Sequence, residues 1–308
     1  MVAQGRPVGG TGDPPHFGLF LPQVRLGYRD IEAQVRLAES LGFHSVWFID
    51  HLAAPAGPEY DTLEGWTVAS ALATRTSRIR LGHLVLAASF RHPAVLAKMA
   101  ATLDVVSDGR LELGLGWGSM ETELAAFGFG QESARTRATR LVDTLEILER
   151  MFSGVEFSYE GHHHRLEGAI GRPVPVQERI PVHIGGAGRR YTLPIAARFG
   201  DWWNCPSYAV DDLAQLLPLA GSARVSVQHP VGLAATRSEV RGVGAEAERR
   251  FGSWGGLIVG TPREVSEALM AEQEMGVEMF IIQFSDFGSE RTLRLFCREV
   301  VPAVRAAA

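Results

Sequence analysis

The run IRLGHLVLAASFRHPAVLAKMAATLDVVSDGRLELGLGWG, residues 79–118, constrains the fold more than any other part of the chain. An apolar segment over 79–86 reads as a strand. The loop after it ends at His92, and Pro93 takes the first helical position, where a missing N–H breaks no helical bond. Leu96, Met99, Leu103 and Val106 recur at three- and four-residue spacing, which buries one helical face. Asp108-Gly109 turns the chain. Leu111, Leu113 and Leu115 open a second strand. It breaks into Gly116-Trp117-Gly118, where the backbone can approach a ligand closely. Two parallel strands joined by a helix form a βαβ unit, and α/β enzymes place their ligands at the C-terminal ends of such strands.

The same alternation runs through the chain. Strands are expected over 17–21, 45–49, 181–184, 201–204, within 225–235, and over 278–284. Helices are expected from Ile31 to a stop at Gly42 with Asp30 as N-cap, over 66–74, 136–152 and 192–199, and over 292–304. Thr261-Pro262-Arg263-Glu264 is a capping box with proline at the first helical position, opening a helix that ends near Gly276. Eight strands alternating with helices predict an α/β fold, the (β/α)8 TIM barrel. Residues 53–65 and 156–178 interrupt the rhythm, and loops this long in a compact domain usually carry function. No repeat or linker divides the chain. A Gly/Pro-rich, flexible tail over 1–15 and one domain over 16–308 are expected.

Composition narrows the class. At 308 residues and 46% hydrophobic content, the chain can bury one large core. A net charge of −5 gives no electrostatic case for nucleic acid. No apolar run approaches the roughly 18 residues of a membrane span, and the first residues lack the apolar core of a signal peptide. The two cysteines, Cys205 and Cys297, lie far apart without metal-ligand spacing, so a reduced cytoplasmic setting is expected.

Four further motifs accompany FRHPAVLAKMAATLDVVSDGRLELGLGWG in order: FGLFLPQ (17–23), SVWFIDHL (45–52), PVHIGGAGRRYTLPIAARFGDWWN (181–204) and GLIVGTPREVSEAL (256–269). Together they resemble the bacterial-luciferase-like flavin and deazaflavin oxidoreductases, most of all the branch that uses coenzyme F420, an 8-hydroxy-5-deazaflavin. The resemblance implies a TIM barrel with a family insertion before strand five, beside the active-site mouth. It also implies a homodimer paired through barrel helices, and hydride transfer between F420 and a small organic substrate. An FMN-dependent monooxygenase on the same barrel is the alternative, and a non-catalytic flavin-binding barrel is a third reading.

Asp50-His51 directly follows the second strand, and histidine is the side chain best suited to proton transfer near neutral pH. The resemblance places His51 beside the reactive ring as the catalytic candidate, with Asp50 among the cofactor-binding residues. Packing or hydrogen bonding at the barrel rim is the other reading of His51. The pair His83-Leu84, at the end of the third strand, matches a position where the family often carries a non-proline cis peptide that backs the ring; an ordinary trans strand end stays open. Gly116-Trp117-Gly118 and Gly185-Gly186-Ala187-Gly188 end successive strands and expose backbone N–H groups, and the second loop enters a helix whose N-terminus favours anions. Thr192 adds a hydroxyl, and Arg189 and Arg190 add charge; tight packing of helix on strand is the competing reading.

Glu121 and Glu123 read as the start of a helix, where acids suit the dipole. Sugar-phosphate-oxidising relatives carry a glutamate directly after the final glycine of this loop, where this chain has Ser119. They also carry a tryptophan shortly after the Asp-His pair, where this chain has Ala53-Ala54-Pro55. Both departures argue against sugar-phosphate oxidation. No metal site is expected: neighbours in the extended run His162-His163-His164 point to opposite faces, and the ligand pattern of metal-dependent barrel hydrolases is missing.

Overall fold

The computed structural model describes residues 13–55 and 57–307; most of the expected N-terminal tail, residues 1–12, lies outside the described residues. Eight parallel strands close into a barrel: β1 (His16–Phe20), β2 (Ser45–Phe48), β3 (Arg80–His83), β4 (Leu111–Gly116), β5 (Val182–Gly185), β6 (Trp202–Cys205), β7 (Arg224–Leu233) and β8 (Val277–Phe284). Each pairs with the next in sequence, and β8 returns to β1 with Phe17 opposite Phe280. The helices are α1 (Tyr28–Ser40), α2 (Gly65–Ala73), α3 (Pro93–Val106), α4 (Glu121–Ala126), α5 (Ala134–Phe152), α6 (Thr192–Phe199), α7 (Val240–Phe251) and α8 (Pro262–Glu274), followed by helical turns over 290–305.

Local chemistry sets several boundaries. Pro93 opens α3, and the His92 ring accepts from Ala94 N at 3.3 Å. The Thr261 box is formed, with Glu264 accepting from Thr261 N at 2.9 Å. Ser133 accepts from Thr136 N, so α5 starts two residues before the expected 136. Asp30 is not the N-cap of α1: Gly27 holds that position, and Asp30 sits in the first turn, where its charge meets the positive end of the helix.

The sheet separates two packing regions. Inside the barrel, Phe20, Trp47, Ile49, Trp202, Met279 and Ile281 form one cluster; the larger core lies between sheet and helices. Trp47 fills the interior because its neighbours lack side chains. A Cβ on Gly18 would meet its indole at 2.7 Å, and one on Gly82 at 2.5 Å.

The end of the barrel away from the loops after the strands is polar. Glu112, 3% exposed, pairs with His183 at 2.6 Å and with Arg80. His44 and His16 stack beside it with ring centroids 4.0 Å apart. Burial and the neighbouring His16 push His44 down to about 4. A histidine depressed in the fold favours the neutral form. Its contribution is therefore present above the unfolded value near 6.5 and is lost as pH falls toward 4. This contribution is at most about 3 kcal/mol, of which about 2 kcal/mol is lost by pH 5. Urea melts of wild type should show the loss between pH 7 and 5, and His44→Gln should flatten it.

The stretch 156–178 forms an antiparallel hairpin of Phe157–Glu160 with Arg165–Ala169. Its tip is anchored on α5, where Asp143 accepts from the amides of His162 (3.2 Å) and His163 (2.6 Å). His163 Nε2 pairs with the Thr139 hydroxyl at 2.8 Å, and His164 packs on His92 at the start of α3. The triple histidine is thus engaged in packing and hydrogen bonding. Among the described residues no group of three or more His, Cys, Asp or Glu side chains is arranged to hold a metal.

Candidate functional site

The loops after β2 to β6, with Gln228 of β7, surround a cleft of about 750 Å3. Asp50, His51, Leu84, Gly116, Trp117, Gly118, Gly185, Gly186, Ala187, Gly188 and Thr192 all line it. His83 does not. Side chains alternate along a strand; Gly82 faces Trp47 inside the barrel, so His83 turns outward under α2. There it is fully buried and stacks on Trp66 at 5.2 Å, and burial holds its pKa below the ordinary histidine value. Of the His83-Leu84 pair that the resemblance put behind the ring, Leu84 lines the cleft and the His83 side chain does not. The cis peptide lies one bond later than expected, between Leu84 and Val85. The hairpin of 156–178, expected beside the mouth, contributes no residue to the cleft. A larger groove of about 1510 Å3 runs outside the barrel between α5 and residues 174–180 and contains none of the expected site residues.

Each wall is built by identifiable contacts. Val85 projects between the third, fourth and fifth strand ends: a Cβ on Gly116 would meet it at 2.6 Å and one on Gly185 at 2.8 Å. Those two glycines make room for Val85 as well as bordering the cleft. Trp117 Nε1 donates to the Thr192 hydroxyl at 3.0 Å, tying the two glycine loops together. Gly186 is held from both sides, its N–H on Asn204 O at 3.1 Å and its C=O accepting from Trp203 Nε1 at 2.8 Å. The next two amides, of Ala187 and Gly188, have no protein acceptor among the described residues and lie just before α6. Unpaired backbone amides in a glycine-rich loop leading into a helix are donors of the kind that bind anions.

His51 is oriented by a residue that sequence reasoning assigned to a helix start. Glu123 Oε2 lies 2.9 Å from His51 Nδ1, while Glu123 Oε1 accepts from Leu52 N at 2.7 Å and Ala53 N at 3.2 Å. An ionised carboxylate only accepts, so Nδ1 carries a proton, and in the neutral ring the lone pair is then on Nε2. Nε2 has no protein partner among the described residues, and the side chain is 27% exposed. Glu121 and Glu123 are two residues apart, so they cannot share one helix face; Glu121 is exposed and Glu123 buried. That spacing was the available signal.

Asp50 lines the cleft, but its carboxylate is already bound. Arg91 grips it with two 2.7 Å bonds, and Ala87 N adds a third at 2.9 Å. Asp50 therefore orders the loop after β3 next to His51 rather than presenting a free carboxylate. Asn204, Gln228, Phe90 and Arg137 also line the cleft and carried no local signal in the sequence.

A family model described as luciferase-like monooxygenase matches residues 13–241, more than half of the 308-residue chain. The protein belongs to the luciferase-like monooxygenase family. An F420-dependent hydroxymycolic acid dehydrogenase of Mycobacterium tuberculosis is 29% identical over 70% of this chain and 59% of its own length. An F420-dependent glucose-6-phosphate dehydrogenase of Amycolatopsis mediterranei is 32% identical over 59% of this chain and 55% of its own length. The chain thus matches somewhat over half the length of these relatives. An F420-dependent secondary alcohol dehydrogenase, solved with an F420–acetone adduct, superposes with a TM-score of 0.79 over 95% of this chain and 99% of that one. At 19% identity this likeness shows the shared family fold. No helix among the described residues is long and apolar enough to cross a membrane.

Proposed function

We propose that the protein is an F420-dependent oxidoreductase that transfers a hydride between the deazaflavin and a small organic substrate. The observation that carries this reading is the placement, in one cleft, of an oriented histidine with a free Nε2 and a loop with unpaired amides. The names of the F420-dependent relatives support the choice of cofactor.

The residues fit such a group. Ala187 N, Gly188 N and the Thr192 hydroxyl form a donor set for its phosphate, and Leu84, Val85 and Gly116–Gly118 would border its ring. When bound, the deazaflavin supplies the two-electron donor or acceptor and activates oxygen poorly. His51 handles the accompanying proton at Nε2, and Glu123 fixes the tautomer that makes Nε2 the acceptor. FMN also carries a phosphate, so an FMN-dependent monooxygenase is the alternative that binding must exclude. A cytoplasmic homodimer, with residues 16–308 acting as one domain, belongs to the same proposal. Val95, Val105 and Val106 on α3 are exposed, Val106 contrary to the spacing that put it on the buried face, and supply an apolar helix surface for it; light scattering reads the oligomeric state.

Two variants test the parts. Ala187→Asp puts a carboxylate at the free amides. It is expected to weaken F420 binding about tenfold or more with an unchanged melting temperature; unchanged affinity would place the phosphate elsewhere. Glu123→Gln tests the tautomer. The amide oxygen must stay on Leu52 N and Ala53 N, which turns the NH2 toward His51 Nδ1. Nδ1 then has to accept, and the proton moves to Nε2. Turnover should fall roughly 100-fold with F420 affinity retained, as a wrong-tautomer histidine does in other enzymes. Turnover within a factor of about 3 of wild type would remove Glu123 from the proton path.

A further inference from the structure

One cation of the cleft is buried and only partly used. Arg137, near the start of α5, lines the cleft and is 4% exposed. Its Nη1 donates to the Glu132 carbonyl at 2.7 Å, and its Nη2 donates to Glu121 Oε1 at 3.0 Å. Its Nε is buried and has no hydrogen-bond partner. A guanidinium presents Nε and Nη2 along one edge, and that edge can grip both oxygens of a carboxylate at once. Glu121 occupies half of it, from a side chain that is 70% exposed. A buried N–H left unpaired costs free energy, so the site gains from a carboxylate that fills the whole edge.

The other carboxylates here are committed elsewhere. Among the described residues that line the cleft, Arg137 is the one arginine or lysine, and the acids are Asp50, Glu121 and Glu123. Asp50 is held by Arg91 and Ala87 N, and Glu123 by His51 and two amides. Glu132 gives its carboxylate to Arg140. Of the three cleft acids, Glu121 has a single exposed ion pair, which water makes cheap to exchange. The Arg137 guanidinium carbon lies 5.1 Å from the centre of the Trp117 ring. The indole N–H of that ring donates to the Thr192 hydroxyl at 3.0 Å. Arg137 is thus one indole away from the donor set proposed for the phosphate.

We infer that Arg137 binds a carboxylate of the cofactor's tail through Nε and Nη2, with Glu121 released to solvent. The inference rests on the reading of the cleft as an F420 site. In F420 the ribityl phosphate is esterified to a lactyl group that carries glutamate residues, so carboxylates follow the phosphate along the tail. The amides of Ala187 and Gly188 serve the phosphate, and Arg137 serves the segment beyond it. One carboxylate replaces another on the same guanidinium, so no proton moves and the charge at the site is unchanged. FMN ends at its phosphate and brings no carboxylate to this edge. Arg137 is therefore a residue that favours the deazaflavin over FMN.

Fluorescence-quenching titrations with three probes test this: F420, its 8-hydroxy-5-deazariboflavin core, and the phosphate monoester of that core, which has no carboxylate. Arg137→Met should weaken F420 binding about tenfold or more and leave the core and its monoester within a factor of about 2. Glu121→Gln removes the competing charge and should tighten F420 about threefold, again without effect on the core or its monoester. An equal loss for F420 and the monoester in Arg137→Met would make Arg137 a phosphate ligand and overturn the inference. Unchanged F420 affinity in Glu121→Gln would also overturn it, and this variant decides alone if Arg137→Met does not fold. Wild type that binds F420 no more tightly than the monoester would defeat the inference and leave the cofactor reading intact. Wild type that binds neither F420 nor the core would defeat the cofactor reading itself.

Discussion

Replacing His51 with alanine is expected to lower turnover by roughly 100-fold or more while F420 affinity stays within a factor of about 3. The imidazole is held on one nitrogen by Glu123, and the other faces no protein group. The proposed phosphate donors, Ala187 N and Gly188 N, are on another loop and make no hydrogen bond to it. Losing the ring therefore removes the proton acceptor and leaves the anion site in place. His51→Gln separates orientation from acid–base chemistry: glutamine can hydrogen-bond but cannot take the proton at neutral pH. Near-normal turnover in the glutamine variant would leave His51 an orienting role alone. Loss of F420 binding in the alanine variant would make it a binding residue.

The second large effect is on stability. Glu112→Ala is expected to destabilise the fold by about 3–5 kcal/mol, the usual consequence of removing one partner of a buried ion pair. Burial alone would raise the Glu112 pKa, but the hydrogen bond from His183 and the charge of Arg80 more than offset it, and the carboxyl is held below its ordinary value. Without that carboxylate, His183, fully buried between Trp47 and Trp202, loses its 2.6 Å partner, and Arg80 loses its counter-ion. Glu112→Gln keeps the shape and part of the hydrogen bonding, so it should be milder. Denaturant midpoints measure both, and a loss below about 1 kcal/mol in the alanine variant would contradict the account. A typical domain has only about 5–15 kcal/mol in total, so the alanine variant could also lose soluble expression.

Features set by neighbouring residues were readable in the sequence. Pro93 after His92, the Thr261–Glu264 box, the strand at Leu111 and the helix at Thr192 each depend on a few adjacent positions, and the structure has them where the pattern puts them. Gly116–Gly118 and Gly185–Gly188 could be placed at one barrel end because parallel strands point the same way. Features set by distant contacts were not readable. Glu123 meets His51 across 72 residues of chain, and Asp50 meets Arg91 across 41. Neither pairing leaves a periodic trace. His83 was placed beside the cofactor through the resemblance of the His83-Leu84 peptide, which carries no side-chain direction; the pairing of Trp47 with Gly82 decides which way the next side chain turns. The short helical turns over residues 207–220 lie in a connection too irregular for a periodicity argument, yet they bring Tyr208 to the cleft.

Cofactor choice is the central claim, and the most direct measurement is a titration of the purified protein with oxidised F420 and, separately, with FMN, followed by fluorescence quenching. Saturable F420 binding with FMN at least about tenfold weaker is the expected result, a difference of about 1.4 kcal/mol. Tight FMN binding with weak or absent F420 binding would contradict the account and make the protein an FMN-dependent member of its family.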